Sequence, residues 1–146
     1  MKIIKPYSAQ GSKKEQVAKM FNAISKQYDF LNRILSVGID INWRNKTVRQ
    51  VKNSGAKKIL DVATGTGDLA LELQRSCPDA EVTGADFCEE MLELARDRGL
   101  KKSLVADGLE LPFADNSFDA VTVAFGLRNM NEWKKGIQEM SRVVRP

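Results

Sequence analysis

Apolar positions in the first fifty-odd residues recur at helical spacing. Ser12 and Glu15 stand in capping-box register and open a helix, with Val17, Met20, Phe21, Ile24 and Tyr28 on one face. A second apolar stretch, Phe30-Leu31 with Ile34-Leu35, ends near Gly38. A third helix carries Trp43, Val48 and Val51 up to Gly55. The pattern then changes to short apolar runs separated by amphipathic ones. Residues 58–62 (KILDV), 81–85 (EVTGA), 103–106 (SLVA) and 118–125 (FDAVTVAF) predict four strands, the third the weakest. Helices are predicted through Leu69, Leu71 and Leu73, with Pro78 beyond as a breaker. Two more run through Met91, Leu92, Leu94 and Ala95 to Gly99, and through Trp133, Ile137, Met140 and Val144. Strands alternating with helices imply a doubly wound, Rossmann-like α/β fold with a parallel sheet, in which ligands bind at the carboxyl ends of the strands. The expected division is a helical segment over residues 1–55, packing on a Rossmann-like domain over 56–146.

Composition narrows the classes of function. A chain of 146 residues suits one domain with one core. Its 42% hydrophobic and 29% charged residues are ordinary for a soluble protein, and no run of about 18 apolar residues predicts a membrane span. The net charge of +4 is spread along the chain in pairs such as Lys13-Lys14, Lys57-Lys58, Lys101-Lys102 and Lys134-Lys135. Such dispersal argues against a nucleic-acid partner, which selects a concentrated basic face. It reads as solvated surface, with weak attraction to anionic lipid headgroups as the lesser alternative. Histidine is absent, so serine–histidine and cysteine–histidine catalysis are excluded. Two distant cysteines, Cys77 and Cys88, make no zinc site, and no metal is expected. With no export signal at the N-terminus, they point to the cytoplasm.

The chemically informative segment is 61–70 (DVATGTGDLA). Gly65 and Gly67 follow a strand and precede a helix, where glycine permits a tight turn and close approach of a ligand to the backbone. A turn that needs glycine for geometry alone explains two spaced glycines equally well. The run also fits a dinucleotide fingerprint, with Ala70 for the third glycine and Asp86 at the end of the second strand as the ribose-binding acid. Charge argues against that reading. Asp61 and Asp68 flank the loop, and carboxylates there repel a pyrophosphate. S-adenosylmethionine has the opposite needs, with a cationic end and a ribose diol suited to the two oxygens of Asp86. Asp107, ending the third strand, is placed to accept from an adenine amino group, or serves as an ordinary turn residue before Gly108.

Together the segments 61–70, 84–92 (GADFCEEML) and 106–130 (ADGLELPFADNSFDAVTVAFGLRNM) resemble class I S-adenosylmethionine-dependent methyltransferases of the UbiE family, which methylate a ring carbon in ubiquinone and menaquinone synthesis. Two signatures sharpen the resemblance. One reads Tyr28-Asp29-Phe30-Leu31-Asn32, then Leu35-Ser36, Asp40 and Trp43. Leu31 stands where the family has methionine, and Asp40 where it has histidine. The other is Arg142-Val143-Val144-Arg145-Pro146, which the family continues with a glycine pair. The resemblance covers residues from about Lys14 to Pro146, and implies three further C-terminal strands beyond it. A fourth strand left at the sheet edge invites pairing, so either a homodimer through it or a fragment of marginal stability is expected.

The resemblance implies a cofactor site made of Tyr28, Asp61, Thr64, Gly65, Gly67, Asp86, Phe87, Met91, Asp107 and Gly108. It implies a quinone-precursor ring with an isoprenoid tail as substrate, and allows peripheral contact with a membrane. Gly126-Leu127-Arg128-Asn129, at the end of the fourth strand, is placed for catalysis. Arg128 is expected to stabilise a phenolate, or else to form a surface ion pair. Asn129 touches substrate or caps the last helix. Trp43 lines the pocket or packs the helices on the sheet. Two other readings stay open. One is a methyltransferase of this fold with another small-molecule substrate. The other is a cofactor-binding module without turnover.

Overall fold

The computed structural model describes residues 39–124, 126, 127 and 130–146. Strands β1 (Lys58–Val62), β2 (Glu81–Asp86), β3 (Ser103–Val105) and β4 (Ala120–Val123) form a sheet in the order β3-β2-β1-β4. Every pairing is parallel. The described helices are α1 (Ile39–Ser54), α2 (Asp68–Ser76), α3 (Glu89–Asp97) and α4 (Trp133–Val143). The expected helix over Ser12–Tyr28, the Phe30–Leu35 stretch, Phe125, Arg128 and Asn129 lie outside the described residues.

Strand β1 is central, pairing with β2 from Lys58↔Glu81 to Val62↔Ala85 and with β4 from Ile59↔Ala120 to Val62↔Val123. All its residues but Lys58 are buried. Helices cover both faces of a parallel sheet, so its strands read as continuous apolar runs rather than alternations. The two faces separate the core. Ile59 packs with Leu69, Leu73, Val82, Ala95 and Leu100, and with Val48 and Val51 of α1. Leu60 and Val62 face the other way, against Phe118, Met140 and Val143. Helix α1 therefore shares a core with the sheet.

The chain runs from β1 outward through β2 to β3, then returns to the opposite flank of β1 to form β4. The reversal opens a crevice above the carboxyl ends of the strands, the usual ligand position in this fold class.

Two boundaries differ from expectation. The fourth strand spans four residues rather than eight. Phe118 instead makes an isolated parallel bridge to Val144, and the Asp119 carboxylate accepts the Lys57 and Lys58 N–H groups, each at 2.9 Å. Val144 accordingly lies outside α4, in extended conformation. That helix presents Gly136, Met140 and Val143 to the core, leaving Trp133 50% and Ile137 40% exposed. Trp43 is also largely exposed, at 42%.

Candidate functional site

The glycine loop between β1 and α2 is closed by its own amides. Thr64 N–H donates to the Ala85 carbonyl at 3.0 Å, and Gly67 N–H to the Thr64 carbonyl at 2.9 Å. Gly65 N–H donates to Asp86 Oδ2 at 2.8 Å. Gly67 precedes α2 at φ 88°, and a Cβ there would stand 3.0 Å from the Ala95 Cβ. Gly67 thus allows both a left-handed turn and close packing of α2 on α3. Three amides of a loop that would cradle a pyrophosphate are engaged within the fold.

The two carboxylates flanking the loop are not the open anions that sequence alone suggested. Asp61 is buried, and its oxygens accept the Thr64 and Thr122 hydroxyls, each at 2.7 Å. Burial pushes its carboxyl up from 3.8 to about 6, despite the two hydroxyl bonds that pull it down; the nearby Asp86 adds to the rise. Asp61 ties the glycine loop to β4. Asp68, at the start of α2, faces Arg98 at 2.7 Å and Arg44 of α1 at 3.5 Å. Arg98 also donates to the Thr66 carbonyl at 2.9 Å, clamping the outer side of the loop. What disfavours a dinucleotide pyrophosphate here is the engaged amides, above all Gly65 N–H bound to Asp86, rather than the charges of Asp61 and Asp68.

Asp86 ends β2, 5% exposed. Besides Gly65 N–H, it accepts Cys88 N–H at 2.9 Å through Oδ1. Burial raises its pKa, opposed by backbone N–H groups of Cys88, Gly65 and Phe87. Two backbone donors hold the carboxylate in one orientation, and each oxygen keeps lone-pair capacity for a further donor. Asp107 Oδ1 accepts Leu109 N–H at 3.0 Å, and its carbonyl accepts Glu110 N–H. It is a turn residue and a wall residue at once.

A cavity of about 260 Å³ lies over the strand ends, lined by Val62, Ala63, Asp86, Phe87, Ala106, Asp107, Gly108, Leu109, Gly126, Met130 and Asn131. Of the residues singled out from sequence, Asp86, Phe87, Asp107, Gly108 and Gly126 share this cavity. Asp61, Thr64, Gly65, Gly67 and Met91 are not among its lining residues. Met91 is buried, its Cε 3.3 Å from where a Gly65 Cβ would be. Tyr28, Arg128 and Asn129 lie outside the described residues. Val62, Ala63, Ala106, Leu109, Met130 and Asn131 were not foreseen as lining, because only tertiary closure gathers them. The one local signal is φ 53° at Ala63, invisible in sequence.

The sequence matches the model of the ubiE/COQ5 methyltransferase family over residues 9–146. The chain belongs to that family. It is 51% identical over 132 residues to the demethylmenaquinone methyltransferase of Thermus thermophilus, covering 87% of this chain and 60% of that protein. It is 45% identical over 142 residues to the ubiquinone/menaquinone biosynthesis C-methyltransferase UbiE of Geotalea daltonii, covering 92% and 60%. The chain thus spans about 60% of the length of these curated relatives. Among solved structures, it resembles a SAM-dependent methyltransferase from Aquifex aeolicus, with 30% identity and TM-score 0.57 over 67% of this chain and 57% of that one. The [4+2]-cyclase SpnF superposes with TM-score 0.67 at 22% identity over 96% and 59%, a likeness of fold alone. That a cyclase shares the architecture shows why function must be argued from the site.

The family's Arg-Val-Val-Arg-Pro signature acts as a clasp around the cavity's supporting loop. Arg142 donates to the Leu111 and Phe113 carbonyls and pairs with Glu139 and Asp115. Arg145 pairs with Asp119, and its N–H donates to the Phe118 carbonyl at 2.8 Å. Together they fasten residues 111–119, which lead from the cavity wall into β4, onto the end of α4. The basic pairs Lys57-Lys58, Lys101-Lys102 and Lys134-Lys135 are all exposed. No described helix is long and apolar enough to cross a membrane.

Proposed function

We propose that this chain binds S-adenosylmethionine and supplies the cofactor site of a C-methyltransferase acting on a demethylmenaquinone or ubiquinone-precursor ring with an isoprenoid tail. The observation that carries the reading is the Asp86 carboxylate, held by two backbone amides at the wall of the cavity. Two oriented oxygens suit the paired hydroxyls of a ribose. Asp107, at the same cavity, suits an adenine amino group, and the apolar side chains of Val62, Ala106 and Leu109 would shield a purine from water. Bound there, the cofactor would offer an electrophilic sulfonium methyl to an electron-rich ring carbon. The protein's contribution is alignment of the two reactants. Arg128, always protonated, would stabilise a ring phenolate, and Asn129 would orient it. The names of the relatives supply the substrate class. Peripheral membrane contact belongs to the same proposal, to be checked by vesicle co-sedimentation.

Calorimetric titration with S-adenosylhomocysteine, with NADH as control, tests the cofactor assignment. Saturable binding of the former alone, lost in Asp86→Ala, is the expected result. Binding of NADH alone, or undiminished binding by Asp86→Ala, would overturn it.

A further inference from the structure

Met130 lies in a slot made by two glycines. A Cβ on Gly136 would stand 2.6 Å from its sulfur, and a Cβ on Gly108 would stand 2.7 Å from its terminal methyl. Both separations are shorter than van der Waals contact allows, so the thioether occupies space that any side chain at either position would claim. Gly136 is inside helix α4, where glycine is unfavourable relative to alanine. Neither φ nor capping calls for it there, and accommodation of Met130 is the reason the geometry offers. Met130 N–H donates to the Leu127 carbonyl at 3.2 Å, which ties the backbone beside the slot. The side chain borders the cavity beside Asp107, Gly108 and Leu109.

We propose that Met130 sets the width of the purine end of this cavity, and that Gly136 is a positioning residue acting through it. The inference rests on the cofactor reading above. A thioether is slim, unbranched and polarizable, and it favours contact with an aromatic edge. Seated between two glycines, it closes against a flat heteroaromatic base next to the carboxylate that would accept from that base's amino group. A branched or shorter side chain leaves the slot misfilled. A methyl on Gly136 pushes the sulfur toward the cavity and narrows it.

A double-mutant cycle tests this on the full chain. S-Adenosylhomocysteine is titrated into the wild type, Met130→Ala, Gly136→Ala and the double variant, with thermal melting of each. Met130→Ala is expected to weaken binding about tenfold, as loss of an apolar and aromatic contact implies. Gly136→Ala should weaken it several-fold in the wild-type background but not in the Met130→Ala background, where no sulfur remains to be displaced. A general packing role for Gly136 would give the same loss in both backgrounds, and that outcome, or Met130→Ala binding within twofold of wild type, overturns the proposal. Should Met130→Ala fail to fold, Met130→Leu takes its place, since it keeps the apolar volume; binding equal to wild type by that variant would be equally damaging. Absence of binding by the wild type would instead overturn the cofactor reading, and the proposal with it.

Discussion

Replacing Asp61 by asparagine should make the protein more stable at neutral pH relative to wild type, and should remove part of its pH dependence. Asparagine keeps the shape and offers one acceptor and one donor. Its oxygen can take the Thr122 hydroxyl, and its amide can donate to Thr64, whose hydroxyl rotates to receive it. What disappears is the buried charge. The wild-type carboxyl rises from 3.8 to about 6 on burial, so the folded chain holds this proton more tightly than the unfolded chain. A group of that kind contributes stability that is fully present below 3.8 and is lost as pH rises through about 6. At about 1.4 kcal/mol for each tenfold change in proton affinity, the loss amounts to roughly 3 kcal/mol. Burial raises Asp86 in the same sense, whereas backbone N–H bonds lower Asp119, and the Arg142 bond lowers Glu139, which act oppositely. Subtracting the two proteins' curves largely cancels these. Urea unfolding of both from pH 4 to 7.5 is the assay, and the advantage of Asp61→Asn should grow by most of that amount across the window. A difference that stays flat within about 1 kcal/mol would refute the claim that a desolvated charge dominates at this position.

Two further outcomes follow from the walls of the loop. Gly67→Ala meets both a φ of 88° and the Ala95 methyl 3.0 Å away, so a loss of about 2–4 kcal/mol in urea unfolding is expected; a change under 0.5 kcal/mol would show that the loop relaxes freely. Arg98→Ala removes the ion pair to Asp68 and the bond to the Thr66 carbonyl. Because the pair is about one-third exposed, the stability loss should be only about 1 kcal/mol, while S-adenosylhomocysteine affinity falls as the loop loses its outer clamp. Unchanged affinity would assign Arg98 to stability alone.

The fold was legible wherever burial on both faces leaves an uninterrupted apolar run. Strands β1 and β2 and the turn between β1 and α2 follow from such runs and from glycine position. Asp86 was legible because it ends a strand beside that turn. Less could be read where a tertiary contact decides. Phe118 looks like strand, yet it bridges to Val144 while Asp119 caps the start of β1. Trp133 and Ile137 are the largest apolar residues of their helix, yet α4 turns Gly136 and Met140 inward, and Gly136 leaves room for Met130. The sign of a side chain is visible in sequence, but its partners are not. Asp61 and Asp68 both read as anions beside a ligand, whereas one is shielded by two hydroxyls and the other by two arginines.

The registry of β1 with its two neighbours has a kinetic consequence. Asp61 pairs with Gly84 on one side and with Thr122 on the other, closures of 23 and 61 residues along the chain. By the logarithmic cost of loop closure, the longer one is harder by about 0.9 kcal/mol before any contact rewards it. Of the two pairings of β1, the one with β4 is therefore expected to form later in assembly. Amide hydrogens of Thr122 and Val123 should exchange sooner than those of Leu60 and Val82. A molecule bridging the Asp86 and Met130 walls would slow that exchange at the β4 end, tying occupancy of the cavity to completion of the sheet.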